Sequence, residues 1–218
     1  MIKLQLKEIR KKINMAHKVF ISYKTEDTEY KEFIQNNLDV DMIDNSLNNA
    51  IPSEDETYIM RYIRKHHLSK STVTLTLIGN KSAESLHPWL EYQGYIKREM
   101  QASLYNGDGN SKNGILAVIL PSMYDSVYPY PKTTTSDYDG STVNITVIND
   151  NTVIKEISVN YYLDSPLHDK NRDYWTADER YVIAVKWDNF ILDPNKYIDM
   201  AYDKRSAAIS KYTKVYPK

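Results

Sequence analysis

The chain has 218 residues, enough for one large domain or one domain with an elaborated end. Its 28 Lys/Arg and 29 Asp/Glu nearly cancel, so no global field draws it to nucleic acid or anionic lipid. Cysteine is absent, which excludes disulfides, thiolate metal sites and a cysteine nucleophile, and fits a reducing cytoplasm.

Residues 1–16 carry Ile2, Leu6, Ile9 and Ile13 at helical spacing among basic side chains. This predicts an amphipathic arm that packs on the domain or on a second subunit, and it lacks the apolar run of a secretory signal. No stretch approaches the roughly 18 apolar residues of a membrane span. The 19 tyrosines read mainly as amphipathic packing groups.

From His17 onward strand and helix patterns alternate. Val19 to Tyr23 reads as a buried strand entering the polar loop KTEDTE, and Tyr30, Phe33, Ile34 and Leu38 then recur at helical spacing. Asp41-Met42-Ile43 is a short second strand ending in Asp44-Asn45-Ser46. Ser53 and Glu56 are spaced as a capping box for a helix whose face carries Ile59, Tyr62, Ile63 and His66. STVTLTLIG (71–79) is a third strand, Tyr95 to Tyr105 a helix stopped by Gly107, and GILAVIL a central strand apolar on both faces. YVIAVKW (181–187) is a fifth strand, followed by a helix over about 194–212 with Pro194 in its first turn.

Five strands with intervening helices predict an α/β, doubly wound, flavodoxin-like parallel sheet, with a β-rich insertion at about 121–180 before the last strand. Residues 17–218 are then a single domain. Within the insertion, TVNITVIND and TVIKEISVNYY alternate and are spaced to pair as a hairpin across Asn149-Asp150-Asn151.

Familiar catalytic signatures are missing. The six glycines are scattered with no G-x-G-x-x-G, and neither H-E-x-x-H nor G-x-S-x-G occurs. His66-His67 are adjacent on a helix and diverge, so no metal site is expected. In such a sheet ligands bind beyond the carboxyl ends of the strands, where Ser22-Tyr23-Lys24, Asp44-Asn45-Ser46 and Gly79-Asn80-Lys81 converge. Two acids stand near that rim. Glu91 lies in a segment broken by Pro88 and Gly94. Glu99 lies on a helix whose buried face is Ile96, Met100, Ser103 and Leu104, with Lys97, Arg98 and Gln101 pointing elsewhere. At 100° per residue Glu99 falls roughly 80–90° from the middle of that face, on its border, partly stripped of water.

The ordered set of KVFISYKTED, the Asp44-Asn45-Ser46 strand end, LSKSTVTLTLIG and the helix beyond it resembles the TIR-like domains of bacterial antiviral defence, specifically the Thoeris ThsB family. The similarity covers roughly residues 17–120, with a fainter echo in YVIAVKWDNFILDPNKYI. Two registers align the family's catalytic helix. Trp89-Leu90-Glu91-Tyr92-Gln93 keeps its aromatic residues but puts Gln93 at the catalytic position. Tyr95 to Met100 keeps the acid as Glu99, and helical periodicity independently supports it.

The resemblance implies an enzyme that breaks the nicotinamide–ribose bond of NAD⁺, with NAD⁺ as substrate and no further cofactor, and a cyclic ADP-ribose isomer as signal for an effector. Glu99 would then be catalytic, as an anion facing the ribose. Ser22, Tyr23, Lys24, Asp44 and Ser46 would bind substrate, Tyr23 by stacking. A phage-derived protein is the expected trigger, with assembly into a homo-oligomer on activation. The competing expectation is a catalytically silent interaction module in which Glu99 is a solvated helix edge and the insertion docks a partner.

Overall fold

The computed structural model describes residues 17–43, 51, 53, 55–82, 95–107, 111–129, 131–135, 140, 142–146, 148–149 and 178–213. The expected amphipathic arm therefore lies outside the described residues. In chain order the strands are β1 (Val19–Ser22), β2 (Met42–Ile43), β3 (Val73–Ile78), β4 (Gly114–Ile119), β5 (Pro131–Thr135), β6 (Thr142–Thr146) and β7 (Ile183–Lys186). The helices are α1 (Thr28–Asn37), α2 (Glu56–Ile63), α3 (Tyr95–Leu104), α4 (Tyr124–Val127), α5 (Trp187–Leu192) and α6 (Pro194–Asp203).

Five strands form one parallel sheet in the order β2-β1-β3-β4-β7, the doubly wound α/β arrangement. The two central strands, β3 and β4, are buried along their whole length, as strands covered on both faces must be. Alternation assigns their side chains to two cores. Val19, Ile21, Val73, Leu75, Leu77, Leu116 and Val118 meet Ile34 of α1, Phe190 of α5 and Ile198 of α6. On the opposite face Ile78, Ile115, Ala117 and Ile119 meet Ile96, Met100 and Leu104 of α3, while Phe20 meets Ile59 and Ile63 of α2 and Ala102 of α3. Gly114 lets α6 approach β4 at backbone distance, since a Cβ there would lie 2.0 Å from the Ala201 carbonyl oxygen.

Three local expectations change. Ser53 does not cap α2. Asp55 does, its carboxylate accepting from the amides of Thr57 (2.8 Å) and Tyr58 (3.3 Å), while Ser53 Oγ accepts from the Asp55 amide in the turn before it. The last strand stops at Lys186, and Trp187 opens α5 instead, because Trp187 and Phe190 share a helical face and bury together.

The last helix ends at Asp203 rather than near Tyr212. There the Arg205 and Ser206 amides turn back to Tyr202 and Asp203, the Ser206 hydroxyl also donates to the Asp203 carbonyl, and a short 3₁₀ segment (Ala208–Tyr212) follows. Within the insertion, β6 pairs antiparallel with β5, from Pro131 opposite Thr146 to Thr135 opposite Thr142. The threonine-rich preceding segment is its partner, and the loop between them contains Gly140 at φ 70°, a conformation glycine adopts without strain. The segment TVIKEISVNYY, expected to pair with β6 as a hairpin, lies outside the described residues. Where the insertion returns to the domain, the Asn149 amide donates to the Val127 carbonyl at 2.8 Å and Ile148 packs on the core beside α4.

Candidate functional site

The site is built where α3 crosses the carboxyl ends of β1 and β3. The α3 sequence YIKREMQASL buries a wider arc than its apolar periodicity implies, because α3 touches both the sheet and α2. Besides Ile96, Met100, Ser103 and Leu104, the side chains of Glu99, Gln101 and Ala102 are buried. The expected border position of Glu99 and the outward position of Gln101 are thereby corrected: Glu99 is only 5% exposed.

Its carboxyl does not stand alone. Ser22, the last residue of β1 and itself buried, donates from Oγ to Glu99 Oε2 at 2.6 Å. Among the described residues none donates to Oε1. Burial drives the Glu99 pKa up from 4.5 to about 8, with the Ser22 hydrogen bond as the opposing influence. The resting carboxyl is therefore largely protonated at neutral pH, which corrects the expectation of a standing anion.

A line of buried polar groups continues from Glu99 under α3. Ser103, one helical turn on, donates to the Glu99 carbonyl oxygen at 2.7 Å and lies 2.6 Å from Thr74 Oγ1. Asn113 Nδ2 reaches both Thr74 Oγ1 (3.1 Å) and Ser71 Oγ (2.8 Å), and the Tyr181 hydroxyl donates to the Asn113 carbonyl oxygen (2.7 Å). These bonds fix the height of α3 over β3, and with it the height of Glu99 over Ser22. Thr76 lies on the same face of β3 and pairs in register with Ser22. Among the described residues its buried hydroxyl has no hydrogen-bond partner.

The other expected site residues are distributed as strand geometry dictates. Tyr23 follows Ser22 and so turns to the other face, where it packs, half-buried, against the core beneath α1. Lys24 is buried in the loop between β1 and α1. Asp44 and Ser46 lie outside the described residues, as do Glu91 and Gln93. The structure thus brings Ser22 and Glu99 together and sets Tyr23 away from them.

Sequence reasoning missed Thr74, Thr76 and Asn113, although threonine at alternate positions of an otherwise apolar strand, VTLTLI, marks a polar stripe on one face. It also missed Asp27, which occupies the N-cap position of α1 without capping it. The Asp27 carboxyl is buried against Gly79, and among the described residues its Oδ2 has no hydrogen-bond partner. Burial raises its pKa from 3.8 to about 6, with Glu26 and Glu29 adding to the rise and Lys24 opposing it.

Residues 20–125 match the family model described as Thoeris protein ThsB, TIR-like domain. The matched stretch begins in β1, ends in α4 and contains Ser22, Thr76 and Glu99. No solved structure matches the chain. Over residues 20–125, just under half of its length, the chain is similar to the ThsB TIR-like domains of Thoeris systems.

Proposed function

We propose that this TIR-like domain cleaves NAD⁺ at the bond between nicotinamide and ribose. The observation that carries the reading is the buried Glu99 carboxyl, held by Ser22 at the carboxyl ends of β1 and β3. As that bond breaks, its electron pair leaves with nicotinamide, which departs neutral and needs no proton, and positive charge develops on the ribose carbon. An anion opposite that carbon in a dry site lowers the barrier, and a carboxylate also accepts from the ribose hydroxyls.

The high pKa of Glu99 gives this chemistry a sequence. With a value of about 8, roughly one carboxyl in ten is ionised at pH 7. The cationic nicotinamide ring, entering a poorly hydrated site, favours the ionised form, so substrate generates the anion that its own cleavage requires. Ser22 holds Oε2, leaving Oε1 for the ribose.

Water at the cationic carbon yields ADP-ribose and a proton. A hydroxyl or ring nitrogen of the same molecule yields a cyclic isomer and a proton, and exclusion of water favours this second outcome. We assign the cyclic product as the signal passed to an effector. We assign Lys24, Asp44 and Ser46 to further substrate contacts, leave Tyr23 out of the site because it packs on the opposite core, and take a phage-derived protein as trigger. Cytoplasmic NAD⁺ is the substrate pool.

The test is nicotinamide release from NAD⁺ by the full chain, with and without lysate from infected cells, and mass identification of the nucleotide product. Glu99→Gln is expected to lower turnover at least a hundredfold, on the order of the 2.7–4 kcal/mol carried by a single preorganised electrostatic group. Normal turnover in that variant would remove Glu99 from the chemistry and leave the interaction-module reading.

A further inference from the structure

The buried face of β3 offers one hydroxyl that the interactions above do not use. Thr76 is fully buried, and among the described residues its Oγ1 has no partner. A hydroxyl dehydrated without a partner is destabilising, so the position calls for an explanation. Its place follows from the contacts around it. Ser103 meets Thr74, and Glu99 stands one helical turn from Ser103 toward the start of α3. Thr76 stands two residues from Thr74 toward the carboxyl end of β3. Four helical residues advance about 6 Å and two strand residues about 6.6 Å, so Glu99 crosses β3 at the level of Thr76. Ser22, bonded to Glu99 at 2.6 Å, is the register partner of Thr76 on β1. Two hydroxyls on neighbouring strands therefore flank one carboxyl, and only one of them is engaged.

We propose that Thr76 is a positioning residue for Glu99, its Oγ1 donating to the carboxylate when Glu99 is ionised, so that the working anion is held by two hydroxyls from two strands. In the resting, protonated site a single donor is enough. On ionisation the carboxylate gains acceptor capacity on both oxygens, and a small rotation about the Glu99 side chain brings it to Thr76. The hydroxyl remains unpartnered at rest because its partner is the charged state of its neighbour. Among the described residues, no charged group on α2, β1, β3 or β4 figures among the causes of the Glu99 shift, so hydroxyls are the available means of favouring its anion.

The inference rests on Glu99 being the working acid of the proposed reaction, but its first test needs no substrate. In protein carrying ¹³C-labelled glutamate, the Glu99 carboxyl resonance is identified by its loss in Glu99→Gln and titrated by NMR. Thr76→Val, which keeps the branched shape, is expected to weaken the acid about tenfold or more, the usual effect of one hydrogen bond to a charged group. Thr76→Ser is expected to titrate as the wild type. An unchanged titration in Thr76→Val, or a shift that Thr76→Ser fails to restore, overturns the proposal. If Thr76→Val does not fold, Thr76→Ala serves as the hydroxyl-free variant under the same criteria. In the nicotinamide assay Thr76→Val is expected to lower kcat with KM unchanged and to move the pH–rate profile alkaline. A shifted titration in a protein that releases no nicotinamide would leave the role of Thr76 standing and refute the proposed function alone.

Discussion

Replacing Glu99 with glutamine is expected to stabilise the fold in alkaline solution. The native carboxyl keeps its proton up to about pH 8, whereas the unfolded chain releases it near 4.5. Between those values folding takes up a proton, so stability falls as pH rises, and the loss is complete above about 8. The gap spans about 3.5 pH units, which at about 1.36 kcal/mol each sets an upper figure of roughly 5 kcal/mol. Glutamine has nearly the same shape, still offers a carbonyl oxygen to Ser22, and does not titrate. The stability difference, Glu99→Gln minus wild type, should therefore be near zero at pH 5 and grow to about 2–5 kcal/mol at pH 9. Urea unfolding at a series of pH values measures it, the variant's midpoint moving upward by roughly 1–2 M at the alkaline end. Asp27 also titrates in this range, but it is common to both proteins and cancels. A difference that stays constant from pH 5 to pH 9 would refute the account of Glu99 as a buried, protonated acid.

Ser22→Ala removes the donor at 2.6 Å from Oε2, so the Glu99 pKa should rise further and the pH–rate profile of nicotinamide release should move to higher pH, with kcat at neutral pH reduced about tenfold. Gly79→Ala places a Cβ 2.4 Å from both Asp27 carboxyl oxygens, and urea unfolding should register a loss of about 1–3 kcal/mol that Asp27→Ala in the same chain partly restores. Lys112→Met should loosen the chain after α6, because the Lys112 ammonium donates to the Ser210 carbonyl oxygen (2.7 Å) and to the Thr213 hydroxyl, while Arg205 binds the Lys112 carbonyl oxygen (2.7 Å). The check is limited proteolysis, with faster cleavage after residue 203 expected and unchanged cleavage counting against the strap.

How much of this is legible without coordinates follows from the physics of each element. The central strands are legible, since STVTLTLIG and GILAVIL are short, bounded and rich in β-branched and apolar residues, whereas the order of the sheet comes from the coordinates. The helix carrying Glu99 is equally plain. Its depth is not, because periodicity reports the face turned to one neighbour and α3 has two, the sheet and α2. That second neighbour buries Glu99 and Gln101 and changes the predicted charge state of the acid. The end of α6 depends on which hydroxyl captures a carbonyl. Such choices between nearly equal local structures are decided by a few contacts that sequence spacing does not encode. The threonines of β3 were readable and were passed over, since alternation of threonine with leucine already stated that one side of a central strand is wet in chemistry though dry in solvent.

The alternation in β3 ties the acid to the fold in one further way. The leucines at 75 and 77 and the threonines at 74 and 76 belong to opposite sides of a single six-residue strand. A one-residue frame slip, by insertion or deletion ahead of Val73, would slide leucine methyls beneath the carboxyl and push threonine hydroxyls into the oily layer under α1. Strand alignment and acid strength are thus a single inherited property, and a misaligned chain would forfeit its ionisable centre in the same stroke as its packing.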